Sequence, residues 1–468
     1  MFSSDKWFGS TPSFYNGVAT QSLRFNDDDS VYLSRTPSSA SNRRTWTWSG
    51  WLKRGNIDTS GVPFSSYSGS IDYFNIQITS SNTLQVMDRV SGNYPYIFNS
   101  NQVFRDVASW YHIVVATDTT QSTESNRVKI YLNGEQITSW SSSTYPSQNY
   151  DTYINTTNNH LIGQRGTSGH YFDGYLAEVN FVDGYQYDPT YFGLTKNGIW
   201  IPKKYTGSYG TNGFRLQFAQ VGVGTASSST IGADTSGNNN HFTSSGIVAS
   251  DCNMPDSPEN NFCTLNPIGR RYGQSYVGTF TEGALKFTSG GNATNVFGTM
   301  AINQIVSQGG VYFELRFDSI DSVRTYFGVI GDSGVNNKNI TTNSGGYTFP
   351  IKGMLSSVPR GYFTTDTDAS NSVDLTANTA FSNGDVAGIA ILSDGKFFVH
   401  RNGTYLNDAS GNTGNPSTGA NPIATIDLTE GDWLPYLGYS SSYSANFGQD
   451  GTFAGQETSG GNQDANGI

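Results

Sequence analysis

The sequence predicts an all-β protein made of two antiparallel β-sandwiches in tandem. Three observations predict it. Strand-like alternation recurs from residue 21 to 185 and again from 266 to 453, with turn residues between the runs. Two Asn-Gly hairpin signals, "KIYLNGEQI" at 129–137 and "KFFVHRNGTY" at 396–405, fall one in each block. Composition agrees: 54 Gly supply tight turns, and 28 Tyr, 28 Phe and 8 Trp supply large rings to bury, although hydrophobic residues reach only 35%. That aromatic content separates the chain from the disordered class.

Residues 1–20 read as an N-terminal arm whose Phe and Trp are expected to anchor the chain to another subunit. The first sandwich, with an extension, spans 21–248 and opens on "SLRFNDDDSVYLS". "TWTWSGWLKR" follows, placing Trp46 and Trp48 on one face; both are expected in the core, as is Trp110. "FNIQITSSNTLQVMDR" alternates Phe74, Ile76 and Ile78, then Leu84 and Val86. Next come "SWYHIVVATD" and the first hairpin, in which Val128, Ile130 and Leu132 share a side. Its Asn-Gly calls for a type I′ turn, with positive φ at both central residues. "HLIGQR" and "FDGYLAEVNFVDGYQ" complete the series. "DPTYFG" predicts a single helical turn, with Asp188 as N-cap and Pro189 at its first position. "GFRLQFAQ" returns one more strand.

From 206 to 265 the sequence is polar and Gly-rich, and the linker is placed at 249–265, where Pro255 and Pro258 stiffen the chain. The second sandwich spans 266–453. In "GVYFELRFDSID", Val311, Phe313, Leu315 and Phe317 face its core while Tyr312, Glu314, Arg316 and Asp318 face outward. "RTYFGVIG", "GYFTTD", "DVAGIAILSDG", the second hairpin with Phe397 and Val399 inward, and "WLPYLGYSSSYSANFG" complete it. Residues 454–468 are a polar Gly-rich tail.

The formal net charge of −11 argues against nucleic acid, which needs clustered Lys and Arg. No apolar run is long enough for a membrane-spanning helix, and the N-terminus has neither a basic nor an apolar signal region. Cys252 and Cys263 are the only cysteines, read as two free thiols or as a small-loop disulfide, and too few for a Cys-based zinc site.

No catalytic constellation is expected. Glycoside hydrolysis needs two carboxylates about 5–9.5 Å apart. Glu430 and Asp432 in "TEGDWLP" would lie about 6.6 Å apart on a strand, but they precede Trp433 in a turn and no third carboxylate follows. Glu314 and Asp318 share a face at roughly 13 Å, too far for that work. His112, His160, His170, His241 and His400 are scattered, no Gly-x-Ser-x-Gly elbow occurs, and "GVGTAS" at 222–227 lacks the strand–helix setting of a dinucleotide loop.

Two resemblances carry the reading further. "WSGWLKR … WYHIVVATD … NRVKIYLNGEQI … IGQR … FDGYLAEVNFVDG" resembles the laminin G-like, concanavalin A-like lectin sandwich over roughly 21–185. "VYFELRFDSI … YFGVIG … FSNGDVAGIAILSDGKFFVHRNGTYLN … WLPYLGYS" resembles a SPRY sandwich. Both resemblances imply jelly rolls. The whole, with its "DTSGNNNHFT" and "SPENNFCTLNP" motifs, is similar to virion structural proteins of tailed bacteriophages of marine type. That similarity implies a non-catalytic tail fibre or receptor-binding protein, assembled in the host cytoplasm and exposed on the particle. Its partners would be other virion subunits and a host-surface glycan, and it would be a homo-oligomer, with a trimer expected of a fibre. A capsid decoration or head fibre protein is the alternative, and a polysaccharide depolymerase the third.

No cofactor is required by this reading, but the laminin G resemblance makes Ca²⁺ a candidate, held by the hard oxygen ligands of Asp27, Asp28, Asp29 in "NDDDS" and Asp173 in "FDG". A solvated acidic turn is the plainer account of the same residues. The lectin resemblance also implies sugar stacking on a loop aromatic beside Asn or Asp. Tyr145, Asn149, Tyr150 and Asp151 are the glycan-binding candidates, with Tyr67, Tyr94 and Tyr96 as further loop aromatics.

Overall fold

The structure is a computed structural model. It describes residues 14–458 apart from 167–168, 269–277, 291–293, 307–308, 321–324, 332–351, 356–360, 365–371, 375–380, 430–431 and 440. The chain divides into two units. One ends at Asn261 and also takes in Thr281–Gly283; the other is formed by Phe262–Phe280 and the chain from Ala284 onward.

In the first unit one sheet runs, neighbour to neighbour, Leu23–Phe25, Gly174–Asp183, Thr45–Arg54, Tyr111–Asp118, Val128–Leu132 and Glu135–Gln136, with Phe214–Leu216 also on Gly174–Asp183. The second runs Trp140–Thr144, Asn93–Val103, Thr83–Val90, Asp72–Ile78, Gly61–Gly69, Asn159–Ile162, Tyr32–Arg35 and Thr243–Ser245. The alternation read from the sequence is what closes the sandwich. Trp46 and Trp48, fully buried, reach across to the other sheet, Trp46 edge-on to Phe74 at 5.3 Å and Trp48 stacked on Phe64 at 6.1 Å. Ile76, Val86, Phe98, Val115, Ile130 and Phe181 fill the same core.

The local signals take the forms their chemistry demands. Asn133 and Gly134 adopt φ of 48° and 89°, and Asn402 and Gly403 adopt 50° and 81°, so both hairpins turn through two left-handed residues. A side chain at Gly134 would also meet the Trp200 ring at 2.8 Å. Pro189–Tyr191 forms one 3₁₀ turn, and Asp188 caps it by accepting the Thr190 N–H.

One expectation of the side-chain reading changes: Tyr67 lies on the strand Gly61–Gly69, and Tyr94 and Tyr96 on Asn93–Val103. Tyr96 is not a loop aromatic: it lies within Asn93–Val103, fully buried, with its hydroxyl 3.3 Å from that of Thr117. Trp110 is buried outside the main core, beside Trp51 and Tyr175, and its indole N–H donates to Asp256 at 3.1 Å. Asp256 also pairs with Lys53 at 2.8 Å, both wholly buried, and Asp251 pairs with Arg24 at 3.0 Å. The Pro-containing stretch up to Asn261 is thereby stitched into the first unit. Buried pairs of this kind add little net stability, but removing one partner leaves an unpaired buried charge at a cost of about 3–5 kcal/mol. Cys252 belongs to this core and Cys263 to that of the other unit; both are buried thiols, not joined in a disulfide.

A two-stranded sheet, Gly193–Lys196 with Ile199–Pro202, completes the first unit, and the described residues of the second unit form two sheets. One orders Gly278–Thr281, Lys286–Ser289, Ser442–Asn446, Val311–Ser319, Val386–Ile391, Lys396–Arg401 and Thr404–Tyr405, with Ala424–Thr425 on Lys396–Arg401. The other orders Thr294–Phe297, Trp433–Tyr439, Thr325–Gly331, Lys352–Leu355, Gly361–Thr364 and Ser372–Asp374. Val311, Phe313, Leu315, Phe317, Phe397 and Val399 all enter its core, as their period of two requires. Among the described residues the longest helix is the single turn Asn303–Val306, and no helix is long and apolar enough to cross a membrane.

Candidate functional site

The acidic residues meet at one end of the first sheet, and strand register is the cause. Leu23–Phe25 pairs with Gly174–Asp183 so that Phe25 lies opposite Gly174, and Gly174 in turn lies opposite Arg54. The residue just past each strand end, Asn26, Asp173 and Gly55, is therefore brought to the same edge. Gly55 N–H donates to the Asp173 carbonyl at 3.1 Å. Gly174 has φ of 132°, and a Cβ there would sit 2.1 Å from the Lys53 carbonyl, so only glycine admits this approach. A Cβ on Gly55 would lie 1.8 Å from Asp173 Oδ1. The absence of a side chain at Gly55 is thus what makes room for the Asp173 carboxylate.

After Asn26 the chain turns through Asp27–Ser30, with Ser30 N–H donating to the Asp27 carbonyl at 3.2 Å and Ser30 at φ 58°. The Asn26 amide donates to Asp29 Oδ2 at 2.8 Å and to Glu282 Oε1 at 3.1 Å. Asn56 donates to Asp27 Oδ2 at 3.1 Å. Asp173 is only 3% exposed, its carboxyl contacts that of Asp27, and neither of its oxygens receives a donor. Asn26 Oδ1 is likewise buried with no partner.

Burial, and then the Asp27 charge, hold the Asp173 carboxyl well above the usual carboxylate range. Burial first and Asp28 second push Asp27 up as well, against the lowering pull of the Asn56 amide. Two carboxyls in contact with no donor between them require either a shared proton or a cation. A hard cation such as Ca²⁺ is satisfied by six to eight oxygens, including carboxylates, amide oxygens, carbonyls and water. The Asp27 and Asp173 carboxylates with Asn26 Oδ1 offer that kind of donor, and the orphaned oxygens fit such an ion. Among the described residues no three Asp, Glu, His or Cys side chains form a metal cluster by themselves, so neutral oxygens and water would complete the shell.

Of the four predicted metal residues, the fold brings Asp27 and Asp173 together. Asp28 is exposed and acts on both through its charge, and Asp29 is bound to Asn26. Asn26, Gly55, Asn56 and Glu282 were not read from the sequence. Asn26 adjoins the acidic run and could have been included; Glu282, 256 residues away, carried no local signal.

The predicted glycan residues are elsewhere. Tyr145 is half-buried, edge-on to Phe98 at 4.8 Å. Asn149 is exposed at φ 61°, its N–H donating to the Thr119 carbonyl. Tyr150 lies beside the buried Asp88, and Asp151 forms an exposed pair with Arg44 at 2.8 Å. Arg44 precedes the strand Thr45–Arg54 and Gly55 follows it. The two groups therefore sit at opposite ends of a ten-residue strand, about 30 Å apart.

Burial holds His112 and His400 neutral, and their hydrogen bonds give them structural roles. Trp200 donates to His112 Nδ1 at 3.0 Å, so the other ring nitrogen carries the proton toward Ser49, 2.8 Å away. Ser49 is thus not activated by a base, and burial pushes His112 down to about 3. Gly403 N–H donates to His400 Nδ1, which leaves His400 donating to Tyr312, and Tyr312 donating to Glu314 at 2.6 Å. Asp318 accepts from Arg316 and Ser444. Glu430 lies outside the described residues.

Comparison with known proteins now bears on this unit. Residues 25–185, about a third of the chain, match the family model described as the concanavalin A-like lectin/glucanases superfamily. The first sandwich has the concanavalin A-like, laminin G-like jelly-roll fold. No curated protein matches the chain. Solved structures similar to this chain include a heptameric SAP-like pentraxin from Limulus polyphemus (16% identity, 35% of this chain, 72% of that one, TM-score 0.25). A Ruminococcus gnavus IT-sialidase CBM40 bound to alpha2,3 sialyllactose follows (16%, 33% and 85%, 0.25). Domains LG4-5 of the mouse laminin alpha1 chain match at 9% identity over 92% of this chain and 84% of that one, with a TM-score of 0.29.

Proposed function

We propose that the chain is a non-catalytic, cation-assisted glycan-binding protein exposed on a virion, a tail fibre or receptor-binding protein whose first sandwich meets the host-surface sugar. The observation that carries this reading is the Asp173 carboxyl, buried at the rim of a lectin-like domain, in contact with Asp27 and without a donor. Asp27, Asp173 and Asn26 Oδ1 would hold Ca²⁺, which supplies a positive centre that vicinal sugar hydroxyls can ligate. The protein's own part is to keep these oxygens dry and fixed. The second unit would be a SPRY-like platform, and assembly as a homo-oligomer, a trimer in a fibre, would multiply weak sugar contacts. The phage-like linker motifs support the virion setting.

A glycan array probed with the full chain tests the sugar-binding part. Binding is expected in calcium, to be lost with EGTA and in Asp173→Asn. Binding that persists under both would mean that sugar is held elsewhere, and binding to no glycan would remove the lectin reading. Immunogold electron microscopy of virions tests the setting. Label on fibres or the tail tip is expected; label over the capsid would favour decoration, and unlabelled particles would contradict a virion protein.

A further inference from the structure

We propose that Glu282 is a positioning residue of the cation site, acting by locking the Asn26 side-chain amide with its oxygen toward the ion. This rests on the cation reading above and goes beyond it, because it assigns a role to a residue far outside the domain's own sequence span. Asn26 is 3% exposed, and its Nδ2 has two hydrogens. One is taken by Asp29 at 2.8 Å and the other by Glu282 at 3.1 Å. With both spent on carboxylates the amide has one orientation only: a flip would turn Oδ1 against two anionic oxygens. Oδ1 is left buried and unpartnered on the side away from those acceptors.

Glu282 is itself anchored. Arg24, wholly buried, lies 3.5 Å from Glu282 Oε2 and 3.0 Å from Asp251. The backbone at Glu282 is left-handed, φ 57°, and the next residue, Gly283, approaches so closely that a Cβ there would meet the Tyr175 ring at 2.6 Å. A Cβ on Gly55 would come 2.7 Å from the Gly283 Cα. Two side-chain-free residues thus let the Glu282 turn seat beside Asp173. The relay is Asp251, Arg24, Glu282, Asn26, and it ends on an oxygen available to a metal. Partners one step removed from a metal ligand commonly change affinity by about 10–100-fold when removed.

The test is the calcium affinity of the full-length chain, read from the calcium-dependent rise in melting temperature in wild type, Glu282→Ala and Glu282→Gln. Gln keeps an acceptor oxygen for the Asn26 amide while removing the charge. We expect Ala to weaken calcium about tenfold and Gln to stay close to wild type. Equal losses in both would show that Glu282 acts by charge and would overturn positioning, as would unchanged affinity in both. A wild type with no calcium response would remove the cation reading, and this inference with it. If Ala does not fold, Asn26→Ala, which deletes the offered oxygen and leaves Glu282 intact, carries the test: about tenfold weakening upholds the assignment and unchanged affinity overturns it.

Discussion

Asp88 shows how a single carboxyl sets a pH dependence. It lies on Thr83–Val90, fully buried, and accepts the Tyr153 N–H at 2.9 Å. Burial pushes it up to about 7, against smaller lowering effects of the Tyr153 N–H, the Tyr150 hydroxyl and Arg43; Tyr96 also feels its charge. A folded-state value raised above the unfolded value near 4 means a contribution fully present below about pH 4 and lost as pH rises through 7. The loss is on the order of 2–4 kcal/mol. Asp88→Asn keeps the acceptor for Tyr153 and cannot ionise. In denaturant melts it should match wild type at pH 4 and exceed it at pH 8; equal differences at both pH values would contradict the assignment. Residue chemistry of this sort was only partly legible. Asp27–Asp29 and Asp173 could be named as oxygen ligands from residue type, but which of them meet depends on the register of Phe25 against Gly174, which no local pattern states. Glu282 was illegible for the same reason, being joined to Asn26 only by the fold.

Elements were more readable, because their signals are local. Asn-Gly dictates a turn through two left-handed residues, Asp-Pro dictates a capped helical turn, and period-two alternation dictates which face of Val311–Ser319 is buried; all three appear as expected. Where the reading changed, a polar or aromatic residue had been assigned by its surroundings in sequence. Tyr96 sits among Tyr, Pro and Asn, which resemble a loop, yet the strand Asn93–Val103 runs through them and turns its ring inward. The glycan candidates Tyr145 to Asp151 were grouped by proximity in sequence, and the structure sets them at the opposite strand end from Asp173.

At the scale of the molecule, the all-β class followed from the coupling of many glycines with many aromatics, and each unit gathers its own core from its own strands. What composition could not supply is where an acidic chain concentrates its charge to a purpose. A formal net charge of −11 is spread over the sequence, but at the edge formed by Asn26, Gly55 and Asp173 a carboxyl is buried against another with no donor. The account stands or falls on that pair. Isothermal titration of the full chain with Ca²⁺, beside Asp173→Asn, tests it most directly. The account predicts a saturable heat for a single site in the wild type and its loss in the variant. No binding in the wild type, or equal binding in both proteins, would contradict it.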